Sequence, residues 1–265
     1  MSRSLMPFTP SKPSPARLLP RPAPEARWRP GLATQPFHSE IFAPAAEASG
    51  AGLALALARD ALTSSDPSSG EGEDTRQVLW VQDRGAIRQG GRPCLAGLPP
   101  DLRHRVIHVA AATPEDALFA LEEGLRCRDL ACVIGEIAGN PKALSFTASR
   151  RLSLMAERHG VRLWLVRLNA APDLSSARMR WSVRAAPSPP PRWNPAAPGT
   201  ASWHAELFRA RTHAPGQWSL SDDAGTLRFA RDPDTERPGE SAAAPDPVSV
   251  ARPTVGRSLA ARARA

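Results

Sequence analysis

The chain has 265 residues, 42% of them apolar, with 29 prolines, three cysteines, no tyrosine and a formal net charge of +8. That apolar share is enough for a real core, which excludes a chain disordered throughout. No apolar run reaches the roughly 18 residues a membrane helix needs, and Pro and Arg break up the N-terminal stretch where a secretory signal needs continuity. A cytoplasmic protein without membrane contact is therefore expected.

Proline crowds residues 7–36, recurs at 187–198 and returns at 233–253. Residues 1–35 and 231–265 carry too few large apolar side chains to offset the entropy of ordering, so both read as disordered tails around a folded domain at 36–230. The first tail holds six basic residues and one acid; the second holds six arginines and five acids, with a purely basic end that includes Arg257, Arg262 and Arg264. Such tails attract nucleic acid or acidic proteins, or simply keep the chain soluble. Lys12 and Lys142 are the only lysines.

Within the domain, strand and helix signals alternate, the pattern of an α/β fold built on a parallel sheet. His38 to Pro44 (HSEIFAP) reads as a strand and Leu53 to Leu62 (LALALARDAL) as a helix. The Ala- and Gly-rich connector AAEASGAG, residues 45–52, sits where a phosphate loop would sit. A working loop of that kind reads G-x-x-x-x-G-K-[ST], with Lys on the β/γ-phosphates and Ser/Thr on Mg²⁺. Here Ala51, Gly52 and Leu53 follow Gly50, so the loop is degenerate.

Gln77 to Gln82 (QVLWVQ) is the next strand, and its unbroken apolar run fits burial on both faces. Asp83 to Pro100 reads as a glycine- and proline-punctuated loop with room for one helical turn. Arg105 to Val109 is a third strand. Thr113 as N-cap, Pro114 behind it and Glu115 and Asp116 in the first turn open a helix through PEDALFALEEGLRCRD. Leu130 to Ile137 (LACVIGEI) is a fourth strand. A helix from Thr147 to His159 stops at Gly160, and Val161 to Leu168 is the fifth strand. Arg178 to Ala185, Trp203 to Ala210 and Gln217 to Leu220 alternate apolar and polar residues, which predicts an antiparallel, half-exposed extension. A proline-rich arm at 186–200 interrupts it.

Chemistry-bearing residues are sparse. Glu136 lies near the carboxyl end of a central strand, where P-loop ATPases hold Mg²⁺ through an acid. The alternative is a structural hydrogen bond, and the missing lysine favours it. His108 inside its strand reads as a core histidine, and no histidines show metal-ligand spacing. Two of the cysteines lie in apolar surroundings and read as buried thiols. Trp80 and Trp164 read as core. For Trp181 and Trp203, each near arginines, core packing leads, with a stacking surface for single-stranded bases or a partner as second reading.

The run ALFALEEGLRCRDLACVIGEIAG, residues 117–139, and the run LSFTASRRLSLMAERHGVRLWLVR after it resemble the ImuA family, as do HSEIFAP, VLWVQDR, SSARMRWSVRAAPS and PGQWSL. The resemblance covers about residues 37–229. It implies a RecA-like fold: a mainly parallel sheet flanked by helices, continued by an antiparallel extension. It also implies a place in bacterial inducible mutagenesis, the SOS response to DNA damage, beside an ImuB-like inactive polymerase homologue and an error-prone polymerase. RecA is a further expected partner, since a RecA-like surface could cap or join its filament. On this resemblance Ser49, Gly50, Ala51 and Gly52 fall at the nucleotide loop, Glu136 at the acid-bearing strand, and Asn169 where a γ-phosphate sensor sits. Without loop Lys or Ser/Thr, no catalytic residue, metal or cofactor is expected.

Three functions follow as expectations. The first is a non-catalytic accessory of translesion DNA synthesis. The second is a divergent DNA-dependent ATPase holding ATP through backbone N–H groups alone. The third is a single-stranded-DNA binder using Trp181, Trp203 and the tail arginines Arg257, Arg262 and Arg264.

Overall fold

A computed structural model describes residues 37–63, 74–191, 194, 196–211, 213–223 and 226–231. The predicted tails and the arginines Arg257, Arg262 and Arg264 lie outside these residues, apart from Arg231.

Among the described residues nine strands form one sheet in the order β3-β2-β4-β5-β1-β6-β7-β8-β9. The strands are β1 (His38–Ala43), β2 (Gln77–Asp83), β3 (Val106–Ala111), β4 (Leu130–Ala138), β5 (Arg162–Leu168), β6 (Met179–Ala185), β7 (Ser202–Ala210), β8 (Gly216–Asp223) and β9 (Thr226–Arg231). The first six pair in parallel, and β6 to β9 pair antiparallel. The fold is thus α/β, with a mostly parallel sheet flanked by helices and an antiparallel C-terminal continuation. No helix among the described residues is long and apolar enough to cross a membrane.

Side chains alternate across each strand, so the sheet makes two cores. One face packs against α1 (Ser49–Thr63) and the short α2 (Arg84–Gly90), through Ile41, Trp80, Ile134, Trp164, Val166 and Trp181. The other packs against α3 (Pro114–Arg126) and α4 (Phe146–His159), through Leu79, Val133, Ile137, Leu163 and Leu165. The helix ends behave as their residues require. Thr113 Oγ1 accepts from the Asp116 N–H at 3.1 Å with Pro114 at the first position, and Gly160 takes the left-handed conformation, φ 72°, that ends α4.

Four expectations need correction. Asp83–Pro100 is not chiefly loop: Asp83 caps α2 by accepting from the Ala86 N–H at 2.6 Å. The helix after β1 starts at Ser49, not Leu53, so Ser49, Gly50, Ala51 and Gly52 form its first turn. The extension has a fourth member, β9, which carries the sheet one residue past position 230. Only Cys132 is buried; Cys94 and Cys127 are exposed, Cys127 because it is the cap that ends α3.

The extension keeps its order through α1. Trp181, Trp203, Leu207, Leu220 and Leu227 point beneath that helix. Asp60 of α1 accepts the Leu227 N–H at 3.1 Å, and Arg59 bridges Asp101 and Asp222 at 2.9 and 3.0 Å.

Candidate functional site

The loop after β1 opens where the carboxyl ends of β2, β4 and β5 meet α1, the usual place for a ligand in an open parallel sheet. A cleft of about 250 Å³ lies there. Glu47, Ala51 and Gly52 border it on the α1 side, Trp80, Gln82 and Glu136 form its floor, and Arg92 and Cys94 its far wall.

Its glycines serve packing. A Cβ on Gly50 would come within 2.7 Å of Val166 Cγ1 and 2.8 Å of Ala43 Cβ, and one on Gly52 within 3.2 Å of the Trp203 ring. Both positions let α1 lie directly on the sheet. The backbone donors are partly committed as well: the Ala45 N–H donates to Asn169 Oδ1 at 3.0 Å. Asn169 in turn donates through Nδ2 to Gln89 Oε1 at 3.0 Å, while its own N–H donates to the Ala43 carbonyl. Its φ of 49° is one that Asn tolerates better than most residues. Asn169 therefore ties the β1 loop to α2, with both ends of its amide engaged.

Glu136 is buried, 3% exposed. Burial pushes its carboxyl above the ordinary range; hydrogen bonds from Trp80 and Gln82 pull it back, and neighbouring Asp83 pushes it up again. The Trp80 indole N–H donates to Glu136 Oε1 at 2.6 Å. Gln82 donates to the Gly91 carbonyl at 2.9 Å and accepts from His108 Nε2 at 2.9 Å. Burial, and then the charge of Arg92, lowers the His108 pKa. Glu136 and His108 are both held in structural hydrogen bonds.

Glu47 adds a second carboxylate at the rim, where its Oε2 accepts the Ala185 N–H at 2.7 Å. Among the described residues Arg92 is the one cation lining this cleft, and with Glu47 and the buried Glu136 beside it the site lacks the excess of positive charge polyphosphate needs. Among the described residues no cluster of His, Cys, Asp and Glu could hold a metal ion.

Of the residues singled out from sequence, Ala51, Gly52 and Glu136 come together in the cleft, and Asn169 braces it. Ser49 and Gly50 are buried under it. Trp181 and Trp203 do not join it and are not contact surfaces: at 1% and 5% exposure they are core, Trp181 lying edge-on to Trp218 at 5.8 Å. The roles of Glu47 and Arg92 went unread, because only the fold brings them beside Glu136.

A second polar cluster lies on the opposite face of β1. Glu40 is fully buried, with Arg180 Nε donating to Oε2 and Ser175 Oγ to Oε1, both at 2.7 Å. Arg167 Nη1 stands 3.7 Å from the same carboxylate, and both guanidiniums lie over the Phe42 ring.

Comparisons with known proteins yield no matching family model and no significantly similar curated sequence.

Proposed function

We propose that this chain is a RecA-like, non-catalytic accessory protein of DNA-damage-induced mutagenesis, working in the cytoplasm during translesion DNA synthesis. On this reading it belongs with the ImuA family and binds protein partners, an ImuB-like protein, RecA or the error-prone polymerase assembly, instead of turning over ATP. The observation that carries it is the cleft beside α1. Carboxylates of Glu47 and Glu136 stand where phosphates would need cations, Asn169 is spent on bracing the loop, and Gly50 is pressed against Val166. The sheet order, with a parallel core and an antiparallel continuation, agrees with the fold the resemblance implies. Fold likeness alone does not assign function, so the test is genetic and direct. Deleting the gene should abolish damage-induced mutation while leaving survival of undamaged cells intact, and the chain should co-purify with one of the named partners. Unchanged mutation frequency in the deletion strain overturns the reading. Titration with millimolar ATP should give no binding; saturable binding would instead favour a divergent ATPase.

A further inference from the structure

A second, larger cleft lies away from the loop after β1. A groove of about 610 Å³ runs between the outer face of α4, the segment leading into β6 and the end of β7. Arg150 comes from α4, Arg178 from the lead-in, and Arg209 and Arg211 from the end of β7 and just beyond it. Among the described residues Glu157 is the one acid lining it, and its Oε1 is held by Arg178 Nη2 at 2.5 Å. Arg150, Arg209 and Arg211 have no ion-pair partner among the described residues. The groove thus presents a net positive charge gathered from three separate parts of the chain.

It is also apolar. Phe146 and Leu154 border it at 47% and 54% exposure, far more than large apolar side chains of the core show. They stand eight residues apart on α4, about 12 Å along its axis, with Arg150 midway between them. A row of apolar, cationic and apolar side chains matches a segment that alternates carboxylates with apolar anchors.

Nucleic acid fits less well. Successive bases need successive stacking rings, and among the described residues Phe146 is the one aromatic side chain lining the groove. The serines on its floor are committed inside the protein: Ser153 to Ser176 at 2.6 Å, Ser175 to Glu40 at 2.7 Å. They offer no ready row of donors to phosphates.

We infer that this groove is the docking site for an acidic protein segment carrying apolar side chains, its carboxylates on Arg150, Arg209 and Arg211 and its apolar anchors on Phe146 and Leu154. This rests on the partner-binding reading above and names the surface that does it.

The test is fluorescence anisotropy on the full-length chain with a labelled synthetic peptide in which Glu alternates with Leu and Phe. Controls are the same peptide with Lys for Glu, the same with Ser for Leu and Phe, and oligothymidylate. The acidic apolar peptide should bind, and the triple variant Arg150→Glu/Arg209→Glu/Arg211→Glu should weaken it by about tenfold or more. Phe146→Ser/Leu154→Ser should weaken it by about tenfold, whereas Arg128→Glu and Phe119→Ser, exposed elsewhere, should leave it within about twofold. No binding of the acidic apolar peptide overturns the inference. So does equal binding of the Ser-substituted peptide, which would reduce the groove to charge alone. Oligothymidylate binding that the triple arginine variant abolishes would give the groove to nucleic acid instead. The peptide comparisons on the unmodified chain decide the matter even if a variant folds poorly. Failure here with partners still co-purifying removes the groove and leaves the accessory role standing; an unchanged mutation frequency on deletion removes the role alone.

Discussion

Trp80 on β2 and Glu136 on β4 stand diagonally across the strand pair, two register positions apart, the indole N–H donating to the carboxylate at 2.6 Å on the floor of the cleft beside α1. The carboxylate at this strand end is turned toward a tryptophan. Glu136 is buried and its carboxyl is raised above the ordinary range, so the folded chain disfavours its charged form.

The sign of the pH effect follows. A carboxyl raised in the folded state contributes stability at pH below its unfolded value, and that stability is lost as pH rises through the folded value. Glu136→Gln should therefore raise the urea midpoint at pH 7, with the gain fading toward pH 4. Trp80→Phe should lower stability by about 1–3 kcal/mol in the original chain and by less in the Glu136→Gln background, because the lost donor served a carboxylate. A double-mutant cycle followed by tryptophan fluorescence or circular dichroism measures both.

His38 titrates with the opposite sense. It is fully buried, its Nδ1 is 2.8 Å from Ser153 Oγ on α4, and burial lowers its pKa to about 4, with Glu40 raising and Arg180 lowering it further. The unfolded chain takes up the proton first, so stability contributed by neutral His38 is intact above about pH 6.5 and is lost as pH falls toward 4. The loss is on the order of 3 kcal/mol by pH 4. His38→Asn, which keeps a partner for Ser153, should flatten the stability profile across that window.

The sequence was most legible where local chemistry and tertiary packing agree. Thr113-Pro114 and Gly160 declare the ends of two helices, the runs LACVIGEI and VRLWLVRL read as strands, and QVLWVQ as one buried on both faces. It was least legible where glycine had two meanings. Gly50 and Gly52 look like a flexible cradle, since Gly costs about 1 kcal/mol inside a helix; packing against Val166 and Trp203 overrides that cost. Gly85 and Gly90 hide α2 in the same way, although Asp83 was a readable cap. Glu40, inside HSEIFAP, gave no sign of its partners, because Arg180 lies 140 positions away in the chain.

The packing role of Gly50 has its own test. Gly50→Ala places a methyl group within 3 Å of two side chains under α1 and should cost about 1–3 kcal/mol through overpacking. Gly97→Ala, whose nearest neighbour would be 3.9 Å away, should stay within about 0.5 kcal/mol. Equal midpoints for the two variants in urea would show that α1 can lift from the sheet and that the loop is looser than this contact implies.

The Glu40 cluster separates pairing from mere burial. Arg180→Met leaves a fully buried carboxylate with Ser175 as its close donor and Arg167 no nearer than 3.7 Å. Breaking a buried pair from one side costs about 3–5 kcal/mol, because the remaining charge stays desolvated. Arg180→Met combined with Glu40→Gln should recover most of that loss, since neutral Gln still accepts from Ser175, removes the stranded carboxylate charge, and leaves Arg167 its pairing with Asp173 at 3.5 Å. The methionine also keeps an apolar body between Phe42 and Phe208, which the guanidinium now spans at 5.0 and 5.5 Å from the ring centres. Urea unfolding of the two single variants and the double variant measures the coupling. A double variant as unstable as Arg180→Met alone would mean that the arginine acts through its contacts with the two rings, and that its charge on Glu40 contributes little.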